Sequence, residues 1–402
     1  MKLALVTALP PSKVTLNEYG YHLVKHFAAN QQVEELILLT DTEPQETDLP
    51  TGIGGCKITI VKCWSFNNYK NLLTLNRAIS KTRPDAVLCN LQFLKFGDKK
   101  IPAALGLLFP ASCKLRGIPT IVLLHNILER VDLENAGFTR NPLVKRIYNF
   151  IGSSLTRFLL MSDLVAVTIK KYVDILSEKY NTKKVVLVPH GAFETPPSPN
   201  YSLPEGPKQI MAFGKFGTYK KVEVLIDACE LLMNEGLEDI EIVVAGTDSP
   251  NTPGYLDSVR QKYSHLTNLR FTGYVEEQDV PEIFKKSAVV VFPYTSTTGS
   301  SGVLHQAGSY GKAVVLPDLS DLGTLIRDEG YTGEFFLPED VKSMAIAIRN
   351  VITDDANRIS IGQQNYKAAC SLPMERIVEI YLEHFRWLQS KKGNLREEVK
   401  SV

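Results

Sequence analysis

The stretch "VVVFPYTSTTGSSGVLHQAGSYGKAVVLP", residues 289–317, reads as strand, turn, helix and strand in succession. Val289–Tyr294 is apolar on both pleated faces, Gly302–Tyr310 reads as a helix, and "AVVLP" returns as a strand. Strands buried on both faces and joined through helices form a parallel sheet covered on both sides. Small hydroxyl residues and glycines fill the turn between the first strand and the helix. Ser300 or Ser301 is placed to cap that helix. Its first-turn N–H groups and dipole then offer a seat for a phosphate. A capped turn with no ligand fits the same local features, and the stretch alone does not separate the two.

The same alternation runs outward in both directions. "KLALVTA", "ELILLTD", "DAVLCN", "TIVLLHN", "DLVAVT" and "KVVLVP" are strands, with helical patterns such as "EYGYHLVKHFAAN" between them. Residues 190–209, "HGAFETPPSPNYSLPEGPKQ", are rich in proline and poor in hydrophobic residues, which predicts a linker. Beyond it the alternation restarts with "QIMAFG", "IEIVVAG", "LRFTGYV" and the opening stretch, and the chain ends in the amphipathic "MERIVEIYLEHFRWLQSKK". The expectation is an α/β protein of two Rossmann-like domains facing a cleft. They span residues 1–195 and 196–375, with 376–402 forming a helix that returns to the first domain. Ligands in such sheets sit at the carboxyl ends of strands.

Composition narrows the partners. Lys and Arg number 45 against 44 Asp and Glu, so no global field favours nucleic acid. The six cysteines form no CxxC pair, which fits reduced thiols in the cytoplasm rather than zinc or a disulfide framework. No eighteen uninterrupted apolar residues occur. No Asp-x-Asp pair is present, so neither magnesium nor any other metal or cofactor is expected. Gly52, Gly54 and Gly55 precede a strand instead of following one, which is the wrong order for a dinucleotide fingerprint.

Cations supply the chemistry. In "FGKFGTYKKVEVLIDA", Lys215 ends the first strand of the second half, and Lys220 and Lys221 open the next helix. Strand ends share one side of the sheet, so these lysines can converge on an anion held by residues 299–303. A departing diphosphate builds negative charge and needs such groups.

In order and spacing these segments resemble the retaining glycosyltransferases of the GT-B fold, family 4. The family has a glycine, then Arg, then Lys five or six residues on, and these positions read Gly214, Lys215 and Lys220 or Lys221 here; "VVAG", "TGYV" and "GKAVV" resemble later landmarks, and "TIVLLHN", "SDLVAVT" and "VVLVPHG" resemble segments of the first half. The resemblance spans roughly the whole chain and is most specific over 208–318. It implies transfer of a hexose from a nucleoside-diphosphate sugar to a saccharide or lipid-linked acceptor, with retention. Lys215 and Lys220 would stabilise the diphosphate and His125 would orient the sugar. Lys221, Tyr274 and the backbone at Gly299, Ser300, Ser301, Gly302 and Val303 would hold the donor. Asn17, Glu18, Asn90 and Gln92 are candidates for the acceptor side; for Asn17 and Glu18, plain helix capping fits equally. Two departures stand out: the family's paired glutamates are replaced by Thr298 and Gln306. Gln306 retains hydrogen-bonding capacity without charge. A catalytically inactive relative that binds a nucleotide sugar or a partner protein is therefore the alternative.

Residues 143–159 predict one further surface. Leu143, Ile147, Ile151, Leu155 and Phe158 fall on one helical face, and Lys145, Asn149, Ser153 and Arg157 on another, with Arg140 and Arg146 nearby. Such a helix either packs its apolar face on the sheet or supports weak contact with an anionic inner membrane face.

Overall fold

The computed structural model describes residues 1–400 except 13, 44–48, 50–54, 129–141, 198, 250–251 and 297–299; side chains at 142–149, 320–321 and 392–400 are also outside the described set. Two compact units emerge, Met1–His190 with Met374–Val402, and Gly191–Pro373.

In the first unit, β1 (Lys2–Val6), β2 (Glu35–Asp41), β3 (Lys57–Trp64), β4 (Ala86–Leu91), β5 (Thr120–Leu124), β6 (Leu164–Val167) and β7 (Val185–Leu187) form one parallel sheet. Its order is β3-β2-β1-β4-β5-β6-β7. The order reverses between β1 and β4, which is where such sheets open a crevice for ligands. Every residue of β4 and β5 is buried, as strands covered on both faces must be. The C-terminal helix, Met374–Lys400, packs on the helix Asn17–Ala29 of this unit. Ile377, Val378, Tyr381, Leu382 and Phe385 are buried at helical spacing, and the Tyr381 ring lies 6.3 Å from that of Phe27.

The second unit repeats the plan. Its strands are β8 (Lys208–Phe216), β9 (Ile240–Asp248), β10 (Leu269–Gly273), β11 (Ser287–Val291), β12 (Ala313–Pro317) and β13 (Glu334–Phe336), ordered β10-β9-β8-β11-β12-β13 and all parallel. The switch point here lies between β8 and β11.

Residues 191–207 do not behave as a free linker. They lie along the helix Asp355–Ser371 of the second unit. The Tyr366 hydroxyl donates to Pro196 O at 2.6 Å, Arg358 donates to Tyr201 O at 3.0 Å, and Ala192 N–H donates to Leu372 O at 2.8 Å. Proline removes a backbone donor but leaves the carbonyl, and the helix engages one such carbonyl at Pro196 and a second, non-proline one at Tyr201.

The helix Pro142–Leu159 is present, but its buried stripe differs from the expected one. Leu143, Lys145, Arg146, Ile147 and Asn149 lie outside the described side chains, and Arg140 outside the described residues. In the described half Gly152, Thr156 and Leu159 face inward, Ile151 and Leu155 are half-buried, and Phe158 is exposed. Small residues at 152 and 156 permit close approach: a Cβ at Gly152 would already stand 3.2 Å from Leu128.

Candidate functional site

At the β8–β11 switch point the cationic loop is tied to the opening turn. Lys221 N–H donates to Pro293 O at 3.0 Å, and Thr295 N–H donates to Tyr219 O at 2.8 Å. These bonds, with the Lys220–Tyr294 bridge, run the two segments antiparallel. The Lys220 ammonium sits 4.8 Å from the centroid of the Tyr294 ring, a cation–π contact. Buried Tyr294 continues the chain, its hydroxyl 3.3 Å from Ser301 Oγ. Lys220 is thus connected through one aromatic ring to the start of the helix Gly302–Ser309.

The backbone makes room for this ammonium. Gly214 has φ +129°, and a Cβ there would lie 2.8 Å from Lys220 Nζ. Its neighbour in the sheet, Gly246 (φ +136°), approaches Gly214 O so closely that a Cβ would lie 1.8 Å from it. Both conformations belong to glycine. Lys215 is half-buried, pairs in register with Thr247, and makes no side-chain hydrogen bond or ion pair to a described residue. Lys221 is exposed, and Tyr274, past the end of β10, is 55% exposed.

Ser300 and Ser301 do not cap the helix. Ser301 occupies the cap position without a side-chain bond to the helix. Its hydroxyl faces Tyr294, and Ser300 Oγ lies 2.9 Å from His305 Nε2. The first-turn N–H groups at Gly302 and Val303 therefore keep no side-chain acceptor from the cap, the condition under which a helix start receives an anion. His305 is buried, with Nδ1 3.0 Å from the Tyr331 hydroxyl and Nε2 3.6 Å from Glu329 Oε2. Burial pushes the Glu329 carboxyl up to about 8, with Asp328 adding to the rise. His305 holds Ser300 in place. Gln306 is half-buried, while Thr298 and Gly299 lie outside the described residues.

The switch point of the first unit carries a second network. Asn90 is fully buried at the end of β4; its Nδ2 donates to Thr7 Oγ1 at 3.0 Å and to Leu16 O at 3.4 Å, and its Oδ1 lies 2.7 Å from His125 Nε2. A carbonyl accepts only, so the amide orientation is fixed and His125 carries its proton on Nε2. Nδ1 is left with a lone pair. Burial lowers the pKa of His125 well below the ordinary value, with His190 and Lys95 contributing, and the ring is neutral at pH 7. The edge of Tyr19 meets it at 4.6 Å between centroids. The Asn90 amide is thus engaged by Thr7, Leu16 and His125.

Gln92 Nε2 donates to Thr15 Oγ1, and Asn17 Nδ2 donates to Ser12 O at 2.8 Å, so both shape the loop 12–17; Glu18 is exposed. The residue that sequence reasoning missed is Lys95. It is completely buried, donates to Thr15 O at 2.8 Å, and lies 5.7 Å from the Trp64 ring centroid. Burial lowers its pKa to about 7, against the opposing pull of Asp41. Its signal was a lysine inside the apolar run "FLKF". Tyr294 was likewise read only as strand.

Among the described residues no group of three His, Cys, Asp or Glu side chains could hold a metal ion, and no helix is long and apolar enough to cross a membrane.

Two all-parallel α/β units with these strand orders are the GT-B architecture of glycosyltransferases. Residues 207–354, within the second unit, match the family described as glycosyl transferases group 1. Sucrose-phosphate synthase from Thermosynechococcus elongatus aligns over 97% of this chain and 99% of its own, at 15% identity and a TM-score of 0.71. Anabaena HepE, in complex with UDP and glucose, aligns over 95% of this chain and 98% of its own at 14% identity and a TM-score of 0.67. WaaG, a glycosyltransferase involved in lipopolysaccharide biosynthesis, aligns over 94% and 98% at 14% identity and a TM-score of 0.65. At these identities the likeness is one of fold. A comparison with curated protein sequences finds no match.

Proposed function

We propose that this protein is a metal-independent retaining glycosyltransferase that moves a hexose from a nucleoside-diphosphate sugar to a saccharide or lipid-linked acceptor. The observation that carries the reading is the Lys220–Tyr294–Ser301 linkage, which brings a cationic loop to an uncapped helix start. In this reading Lys215, Lys220 and Lys221 offset the charge of the departing diphosphate, and the N–H groups at 300–303 receive its oxygens. Tyr274 lies beside the base and Gln306 hydrogen-bonds the ribose. Neutral His125 accepts a sugar hydroxyl at Nδ1, while the loop 12–17 shapes the acceptor side. No carboxylate base is required, because the leaving phosphate takes the acceptor proton as the new bond forms on the same face. The protein then works in the cytoplasm, in the synthesis of a polysaccharide or glycolipid.

Thermal unfolding with UDP, GDP, ADP and their sugars tests the donor class, since a ligand bound only by the folded state raises the midpoint. The anomeric configuration of the product, read by NMR, tests retention. The replacement of the acid by Gln306 favours one second reading, a binding protein without turnover. Donor binding with no transfer to any acceptor pool would establish it.

A further inference from the structure

Residues 65–126 carry nine Lys or Arg against two Asp and no Glu, a net charge of +7 in a chain whose total is +1. Three of these cations, Lys70, Lys99 and Lys100, stand on one unusual surface. Asn67 fastens two loops of the first unit into a knuckle: its N–H donates to Phe96 O at 2.8 Å, its Nδ2 to Asp98 at 2.7 Å, and its Oδ1 accepts Lys99 N–H at 3.0 Å. Five large apolar side chains stand out from it, Phe66 at 47%, Tyr69 at 58%, Leu73 at 59%, Leu94 at 48% and Ile101 at 63% exposure. Lys70, Lys99 and Lys100 are exposed among them, and Asp98 is already engaged by Asn67.

We propose that this knuckle docks on an anionic lipid surface. Insertion of aromatic and aliphatic tips with a cationic rim is the chemistry of an interfacial anchor. Protein interfaces deplete lysine and favour arginine, whereas every cation at the knuckle is lysine. The surface is distinct from the helix Pro142–Leu159, for which sequence patterning left sheet packing and membrane contact both open. Leu94 immediately precedes Lys95, which holds the loop 12–17. Resting on the proposed glycosyl transfer, docking would bring the acceptor loop to the membrane and select an acceptor presented from lipid.

The test is co-sedimentation of the full chain with phosphatidylglycerol-containing and with pure phosphatidylcholine vesicles, at low and high salt. Binding to the anionic vesicles is expected, weakened by salt. Leu94→Ser with Ile101→Ser, and separately Lys99→Glu with Lys100→Glu, should each lower partitioning by at least about tenfold. Unfolding midpoints should stay at the wild-type value, since all four side chains are exposed. Leu115→Ser, 81% exposed at the far end of the helix Phe109–Leu115, should change nothing. A Leu94→Trp variant should shift its emission to the blue on anionic vesicles only. Absence of wild-type binding at low salt, equal binding to neutral vesicles, or binding that survives both double variants overturns the proposal. None of these readouts depends on sugar transfer, so failure of the docking and failure of the proposed activity are separate results.

Discussion

Replacing Lys95 with methionine should make the first unit more stable at neutral pH and flatten its pH dependence in alkali. The Lys95 ammonium is fully buried and its pKa is lowered from the ordinary 10.5 to about 7. Below pH 7 both folded and unfolded chains carry the proton, and the burial cost is present in full. Between about 7 and 10.5 the unfolded chain binds a proton that the folded chain lacks, so stability rises with pH through this window. At ~1.36 kcal/mol per pH unit, the ceiling on this rise is about 5 kcal/mol. Methionine fills similar volume without charge but abandons Thr15 O, at a cost of about 1–3 kcal/mol. The expected net gain near pH 6 is therefore at most about 2–4 kcal/mol. The measurement is urea unfolding of wild type and variant from pH 6 to 10. The difference between the two curves removes every other titrating group, and it should shrink and change sign as pH rises. A constant offset would refute the buried-ammonium argument. The same variant should raise the KM for acceptor severalfold, because the loop at Thr15 loses its tether.

Lys215→Ala should lower transfer by about two orders of magnitude with little change in unfolding midpoint, as when one charge-stabilising donor is removed; wild-type activity would place Lys215 away from the leaving group. Gln306→Glu should alter the calorimetric affinity for a nucleoside diphosphate, tighter where the carboxylate meets a ribose hydroxyl and weaker where it meets phosphate. An unchanged value would remove Gln306 from the ligand. Gly20→Ala should destabilise the first unit by about 3 kcal/mol, because its Cβ would come within 2.5 Å of Ala8 O, a backbone atom that cannot swing aside. A urea midpoint equal to wild type would show that this approach relaxes.

The repeating doubly apolar strands made the parallel α/β architecture legible, because burial on both faces leaves a composition that few other elements share. The placement of the lysines at 215, 220 and 221, at and just past the carboxyl end of β8, was legible for a similar reason, since an apolar strand stops there. Side-chain partnership was not. Ser300 and Ser301 have the chemistry of caps, yet Tyr294 and His305 compete for their hydroxyls, and those competitors are set by packing. The buried stripe of the helix Pro142–Leu159 was misplaced because Gly152 and Thr156 face inward, where periodicity analysis looks for large apolar residues. The prolines of 190–209 marked irregular backbone but concealed that the carbonyls of Pro196 and Tyr201 are bound. Lys95 was hidden by the rule that lysine is a surface residue.

Residues 293–306 contain no Asp or Glu, which favours an anion such as a diphosphate there. A neutral Gln306 adds no repulsion near the helix start. Glu329, which reaches His305 and through it Ser300, is held at about 8 by burial, so near pH 7 it is mostly the uncharged acid. The first-turn N–H groups are spared by serines that bond elsewhere, and Lys220 is held over an uncharged ring rather than against a carboxylate. Its positive charge is therefore oriented without being neutralised. A carboxylate partner would have fixed the same ammonium more tightly but would have cancelled much of the field a leaving diphosphate needs. The aromatic platform supplies position at little electrostatic cost, and it predicts that Tyr294→Phe, which retains the ring and loses only the link to Ser301, should preserve most donor affinity, whereas Tyr294→Leu should not.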